Sequence, residues 1–137
     1  MDSKRNKIYN FLLVDDEDNL RKSISAILKS NFKDVVIFEA KNGNEALDLL
    51  AKPDANLQID LLITDIKMPQ VGGIKIIHEI RKSHKKEIPI ILMTGNSEVS
   101  DTVDTNDIGA NAFLKKPFNQ ETLFKTICDI FPDLNRS

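Results

Sequence analysis

The chain alternates short apolar runs with stretches in which apolar residues recur at helical spacing. The runs occupy residues 11–14, 35–38, 61–63, 90–93 and 112–114. Because they are continuous rather than alternating, they predict strands that are buried on both faces of a sheet. Four of the intervening stretches carry an apolar stripe typical of an amphipathic helix. The stripes consist of Leu20, Ile24, Ile27 and Leu28; Ala46, Leu47, Leu49 and Leu50; Ile74, Ile76, Ile77 and Ile80; and Leu123, Ile127 and Ile130.

One further helix is predicted over residues 98–108, although its stripe contains only Val99, Val103 and Ile108. Five strand–helix units in alternation predict an α/β fold with a parallel sheet and helices on both faces. No linker, repeat or low-complexity segment divides the chain, and 137 residues are enough to build one core. We therefore expect residues 1–137 to form a single domain, with its core at about residues 9–131.

Composition narrows the class of protein. The net charge of −2 argues against a strongly basic surface for nucleic acid, and we expect no direct nucleic-acid binding. The one cysteine, Cys128, excludes an internal disulfide and suits a reducing compartment, and we expect it to pack on the last helix. No apolar run is long enough to cross a bilayer, and the polar first ten residues contain no signal-peptide core. These features predict a cytoplasmic protein without membrane association.

Polar residues that can bind ligands or take part in chemistry follow four of the predicted strands. Asp15 and Asp16 end the first strand, Asp65 the third, Thr94 the fourth and Lys116 the fifth. Ligands of open α/β sheets bind at the carboxyl ends of strands near a topological switch point. The strand order 2-1-3-4-5, which periodicity alone cannot fix, would bring all five residues into one cleft.

Three carboxylates in one cleft repel each other, and a bound cation relieves that repulsion. Oxygen ligands of this kind suit Mg²⁺ (or Mn²⁺), and an aspartate can form an aspartyl-phosphate. Each residue also has an ordinary interpretation, since aspartate and threonine cap helices or form turns and a lysine is commonly solvated. Their shared position at one sheet edge favours a site.

Four segments carry a family resemblance: FLLVDDE (11–17), ITDIKMPQVGG (63–73), IPIILMTG (88–95) and GANAFLKKPF (109–118). With them the chain resembles the receiver domain of two-component response regulators over about residues 9–131. The resemblance implies a flavodoxin-like (βα)5 doubly wound, five-stranded parallel sheet in the order 2-1-3-4-5. It also implies a phosphoacceptor that takes a phosphoryl group from a histidine kinase phosphohistidine in a Mg²⁺-dependent reaction.

The resemblance assigns roles to individual residues. Asp65 corresponds to the phosphoacceptor and is also a metal ligand. Asp16 corresponds to a direct metal ligand and Asp15 to a ligand that acts through water. The backbone carbonyl of Lys67 completes the implied protein ligands, and Thr94 is implied to donate a hydrogen bond to a phosphoryl oxygen.

The resemblance also implies roles in the change of conformation that follows phosphorylation. Lys116 is implied to pair with another phosphoryl oxygen, and Pro117 resembles the cis proline that aims this lysine into the cleft. Phe113 corresponds to the aromatic residue that turns inward when the threonine moves, which changes the surface of the fourth helix, fifth strand and fifth helix. Gly72 stands where many receivers have Asp, and we expect this difference to change little in the function of the domain. Gly95 replaces the usual alanine, and we expect it to shorten the life of the phosphate.

The implied partners are a histidine kinase or phosphotransfer protein and a downstream output protein or domain, with a phosphorylation-dependent homodimer as a further option. The chain would catalyse its own phosphorylation without being a conventional enzyme, and it could be part of a hybrid kinase. Three alternatives stay open: a degenerate receiver that binds partners without phosphate, a phosphatase of aspartyl-phosphate type, and a flavodoxin-like electron carrier. The two histidines, His78 and His84, are expected at the surface.

Overall fold

Five strands form where the apolar runs predict them, and each extends slightly beyond its run. The computed structural model describes residues 7–51, 58–68, 71–83, 87–95 and 109–136. The strands are β1 (Tyr9–Val14), β2 (Val35–Ala40), β3 (Leu61–Asp65), β4 (Ile90–Thr94) and β5 (Ala112–Lys115). Every residue of β3 and β4 is buried, so both faces of these two strands are covered.

The strands pair in the order β2-β1-β3-β4-β5, and every pair is parallel. This confirms the flavodoxin-like α/β fold and the strand order that the resemblance implies. The register aligns Val14 with Thr64 across β1 and β3, and Thr94 with Lys115 across β4 and β5. The carboxyl ends of these four strands therefore lie side by side at one edge of the sheet.

Helices cover both faces of the sheet. They are α1 (Asp18–Asn31), α2 (Gly43–Ala51), α3 (Gly73–Lys82) and a C-terminal helix (Gln120–Ile130). The fourth predicted helix, residues 98–108, lies outside the described residues. No helix in the described part of the chain is long and apolar enough to cross a membrane.

The core consists of two layers that the sheet separates. On one face, Phe11 and Leu13 of β1 pack with buried residues of α1 and the C-terminal helix, and Cys128 is partly buried there as expected. On the other face, Leu12 and Val14 pack with buried residues of α2 and α3. The continuous apolar run in β1 thus supplies both layers, because successive strand residues point to opposite faces.

One stripe residue is an exception to the predicted core. Ile74 is 47% exposed, although the other three stripe residues of α3 are buried. Gly73 is also buried, and one step along a helix rotates the next side chain by about 100°. Ile74 therefore lies outside the buried face of α3.

Candidate functional site

Three carboxylates meet where β1 and β3 end. Asp15 follows β1 directly and Asp65 is the last residue of β3, and these two strands are hydrogen-bonded neighbours. One ligand atom from each of Asp15, Asp16 and Asp65 lies within 4.8 Å of the others. Asp15 is fully buried and Asp65 nearly so, whereas Asp16 is exposed. The cluster therefore opens to solvent on the side of Asp16.

Lys116 brings a positive charge to the same cluster. Its Nζ lies 3.1 Å from Oδ2 of Asp65 and 3.6 Å from Oδ2 of Asp15. Its backbone N–H donates to the carbonyl of Thr94 over 2.7 Å, and the Lys116–Pro117 peptide bond is cis, as predicted. Lys115, the residue before it, is exposed to solvent. The geometry thus distinguishes the two adjacent lysines.

The electrostatics of the site follow from burial and pairing. Burial raises the pKa of Asp15 above its ordinary value, although a hydrogen bond from the Glu17 N–H (2.9 Å) and the charge of Lys116 act in the opposite direction. Burial acts to lower the pKa of Lys116, but its hydrogen bond to Asp65 and the charge of Asp15 outweigh burial and raise it. Lys116 therefore stays protonated beside the carboxylates.

The donor set fits a hard divalent cation. All three side chains offer carboxylate oxygens, which Mg²⁺ prefers. Oδ2 of Asp15 is buried and accepts no hydrogen bond from any described residue, so one oxygen of the cluster lacks the partner that a buried acceptor needs. The triad is therefore typical of a magnesium site. Lys67 is exposed two residues after Asp65, and its carbonyl as a ligand stays a prediction.

The predicted switch residues lie on the two strands next to the cluster. Thr94 is buried at the end of β4, one residue beyond Met93, which pairs with Asp65 of β3. Phe113 is half-buried on β5 opposite Leu92 and packs against the α2–α3 layer of the core. Phe113 also lines a groove of about 540 Å³. The other lining residues are Pro89, Asn111, Ala112, Thr126, Asp129 and Ile130.

Two glycines close the turn between Asp65 and α3. The N–H of Gly73 donates to the carbonyl of Ile66 over 3.0 Å. A Cβ added at Gly73 would overlap the Asp65 carbonyl oxygen, and one added at Gly72 would lie 2.8 Å from the carbonyl oxygen of Ile66. The absence of a side chain at Gly72 therefore suits the close approach of this turn to the end of β3.

Arg21 is a further residue at the site, and the apolar pattern of the sequence does not indicate its contact with Asp15. Arg21 is buried on α1 and donates to the backbone carbonyl of Asp15 over 2.8 Å. Positions 21, 24, 25 and 28 are the buried face of α1, so an arginine at a core-facing position was the signal available in the sequence. His78 is exposed as expected, and His84 lies outside the described residues.

Comparisons with known proteins agree with this arrangement. The family described as "Response regulator receiver domain" matches residues 11–128. The chain is 38% identical to Regulatory protein AtoC of Escherichia coli over 117 residues, which cover 85% of this chain and 24% of AtoC. It is 33% identical to a chemotaxis protein CheY homolog of Campylobacter jejuni, covering 87% of this chain and 89% of that protein.

A solved structure adds a ligand-bound relative. The structure of response regulator protein TrrA from Thermotoga maritima, in complex with Mg²⁺-BeF, superimposes with a TM-score of 0.74 at 31% sequence identity. The match covers 90% of this chain and 99% of TrrA. The chain thus spans nearly all of some relatives but only about a quarter of AtoC.

Proposed function

The chain belongs to the response regulator receiver family, and from this premise we propose that it is a phosphoacceptor switch in which Asp65 receives the phosphoryl group. The observation that carries the proposal is the environment of the Asp65 carboxylate. It lies 3.1 Å from the Lys116 ammonium, and two further carboxylates have ligand atoms within 4.8 Å. A nucleophile, a fixed positive charge and a cation-binding donor set are the groups that phosphoryl transfer requires.

In the proposed step, a carboxylate oxygen of Asp65 attacks the phosphorus of a phosphohistidine on a histidine kinase or a phosphotransfer protein. A P–O bond forms, the P–N bond breaks, and the departing imidazole takes the electron pair. Lys116 pairs with one phosphoryl oxygen, and the Thr94 hydroxyl donates a hydrogen bond to another. Both residues stabilise the negative charge on the oxygens of the transferred phosphoryl group.

Asp15, Asp16, Asp65 and the carbonyl of Lys67 are the proposed ligands of Mg²⁺ (or Mn²⁺). When bound, the cation would supply positive charge that offsets the negative charge of the phosphoryl oxygens and the carboxylates. The likeness to TrrA, whose structure contains Mg²⁺-BeF, supports this assignment. The buried Oδ2 of Asp15 supports it independently, because it accepts no hydrogen bond from a described residue.

The proposed output is a change of surface. Recruitment of Thr94 to the phosphate would bias Phe113 between two rotamers and change the surface of residues 98–108, β5 and the C-terminal helix. A downstream protein or domain, or a second copy of the chain, would read that surface. The cytoplasmic location stays a prediction from composition and from the single cysteine.

Incubation with acetyl phosphate and Mg²⁺, followed by intact-mass measurement, tests the proposal. We expect the mass of one phosphoryl group on the wild type, none on Asp65→Asn, and none when EDTA removes the cation. Asp48→Asn, an exposed aspartate on α2, is the matched control and should be phosphorylated like the wild type. A phosphate on both Asp65→Asn and the wild type, or on neither, would contradict the assignment.

The degenerate receiver remains the alternative, and beryllofluoride separates it from the proposal. A phosphoacceptor should bind beryllofluoride in the presence of Mg²⁺, with amide chemical shift changes at Asp65, Thr94 and Lys116. Absence of binding would favour a module that recognises its partners without phosphate.

A further inference from the structure

Arg21 connects three segments of chain beneath the acidic cluster. Its side chain is only 8% exposed, although it lies in the first turns of α1. Besides the Asp15 carbonyl, it contacts Oδ1 of Asp18 over 2.8 Å and Oε1 of Glu39 on β2 over 2.9 Å. A buried guanidinium with this many charge-assisted partners occupies one defined position.

We propose that Arg21 is a positioning residue for the cation site, an inference that rests on the proposed function. Asp15 is held at three points: its N–H donates to the Ala40 carbonyl (3.2 Å), its carbonyl accepts from Arg21, and its Oδ1 accepts from the Glu17 N–H (2.9 Å). Only Oδ2 is left for a cation or for Lys116. Of the three points, Arg21 supplies the one that fixes the carbonyl.

The carbonyl of Asp15 matters because it belongs to the peptide unit that leads into Asp16. A peptide unit is planar, so fixing the carbonyl oxygen fixes the orientation of the following N–H and Cα. Asp16 is the exposed member of the triad, and no described residue is hydrogen-bonded to its side chain. Its direction therefore depends on the backbone, which Arg21 holds.

Position, rather than charge, is the means by which Arg21 acts. A free positive charge near the triad would oppose cation binding. Asp18 and Glu39 each pair with the guanidinium, so two carboxylates more than offset its single positive charge. Outer residues that orient metal ligands commonly affect metal affinity by about 10–100-fold when replaced.

Mg²⁺ titrations followed by amide NMR shifts test the inference, with thermal unfolding measured in parallel. We expect Arg21→Met to weaken Mg²⁺ binding by about tenfold or more. Arg21→Lys should weaken it by a smaller factor, because lysine keeps a charged donor but cannot contact all three partners. Arg81→Met is the matched control. Arg81 is a partly buried arginine on α3 that donates to the carbonyls of Gly109 (2.7 Å) and Ile88 (2.8 Å), outside the triad.

The outcomes separate position from stability and from charge. The inference holds if both Arg21 variants lose affinity while Arg81→Met, with a comparable loss of thermal stability, stays within about twofold of the wild type. It fails if the Arg21 variants bind Mg²⁺ like the wild type, or if Arg81→Met loses as much affinity. Glu39→Gln, which keeps an oxygen for Arg21 but removes the charge, should also stay within about twofold; a loss equal to that of Arg21→Met would overturn a positional role. Absence of Mg²⁺ binding by the wild type itself would refute the proposed cation site and the inference with it.

Discussion

Replacing Asp16 by asparagine tests the charge balance of the acidic cluster. The ligand atoms of the three carboxylates lie within 4.8 Å of one another, and the Lys116 ammonium is paired with Asp15 and Asp65. When all groups are ionised and no divalent cation is bound, the cluster carries three negative charges and one positive charge. Asparagine has the same shape as aspartate but removes one negative charge from the exposed side of the cluster.

The magnitude follows from Coulomb's law at 4.8 Å, the upper limit of the separation between the ligand atoms. Two unit charges 4.8 Å apart repel by about 3.5 kcal/mol at an effective dielectric constant of ~20 and by about 0.9 kcal/mol in bulk water. Because Asp16 is exposed, the lower part of this range applies to its repulsion from Asp15 and Asp65. The attraction between Lys116 and Asp16 is lost as well and offsets part of the gain. We therefore expect Asp16→Asn to raise the free energy of unfolding by about 1–2 kcal/mol without divalent cations.

Urea unfolding followed by far-UV circular dichroism measures this effect, and the absence of tryptophan makes fluorescence a poor probe. In EDTA, the variant should be more stable than the wild type. With Mg²⁺ at ten times its dissociation constant, the wild type should gain about 1.4 kcal/mol, while Asp16→Asn should gain much less. Asp48→Asn, which removes an exposed charge elsewhere, should keep the wild-type response. The reasoning is refuted if Asp16→Asn is less stable than the wild type in EDTA or responds equally to Mg²⁺.

Three further substitutions give distinct outcomes. Lys116→Met should slow phosphorylation by acetyl phosphate by at least about tenfold, because the positive charge that pairs with the transferred phosphoryl group is lost. Lys115→Met is its control, and equal rates for the two variants in an intact-mass time course would contradict the role of Lys116. Gly73→Ala should lower the free energy of unfolding by about 1–3 kcal/mol, because the new methyl overlaps the carbonyl of Asp65; wild-type stability in urea would show that the turn accommodates it. Gly95→Ala should lengthen the life of the phosphorylated protein severalfold by restricting water near Asp65, and an unchanged half-life after removal of the phosphate donor would rule this out.

The fold was predictable from the sequence because its central strands, β1, β3 and β4, are largely buried on both faces; the edge strands β2 and β5, for which the same burial is predicted, are only partly buried. The run at residues 11–14 is continuous because Phe11 and Leu13 pack on one layer while Leu12 and Val14 pack on the other. Strand ends were less predictable: β2 continues through Glu39 and Ala40, beyond the apolar run. Glu39 is accommodated there by its ion pair with Arg21, a contact between distant segments that a local pattern does not report.

The site was predictable to a different extent for each residue. Periodicity placed Asp15, Asp65, Thr94 and Lys116 at strand ends, and the strand order, which came from the family resemblance, placed those ends side by side. Burial and pairing were not predictable, because they depend on side-chain directions across the sheet edge. Arg21 was missed for the same reason: its spacing marked it as core-facing, but only the fold reveals that its guanidinium lies against the Asp15 carbonyl and Glu39.

The unequal environments of the three carboxylates indicate how cation binding and folding are coupled. Asp15 is fully buried, and its Oδ2 lies 3.6 Å from Lys116, too far for a good hydrogen bond. Burial accordingly raises the pKa of Asp15, which means that the folded protein holds the ionised carboxylate at a free-energy cost. A cation held beside that carboxylate through water, as the resemblance implies, would reduce this cost only in the folded state, since the unfolded chain does not bring Asp15 to Asp65. Binding of a cation would therefore increase the stability of the fold, and substitutions that displace Asp15 from Asp65 should reduce that increase even when the unbound protein remains folded.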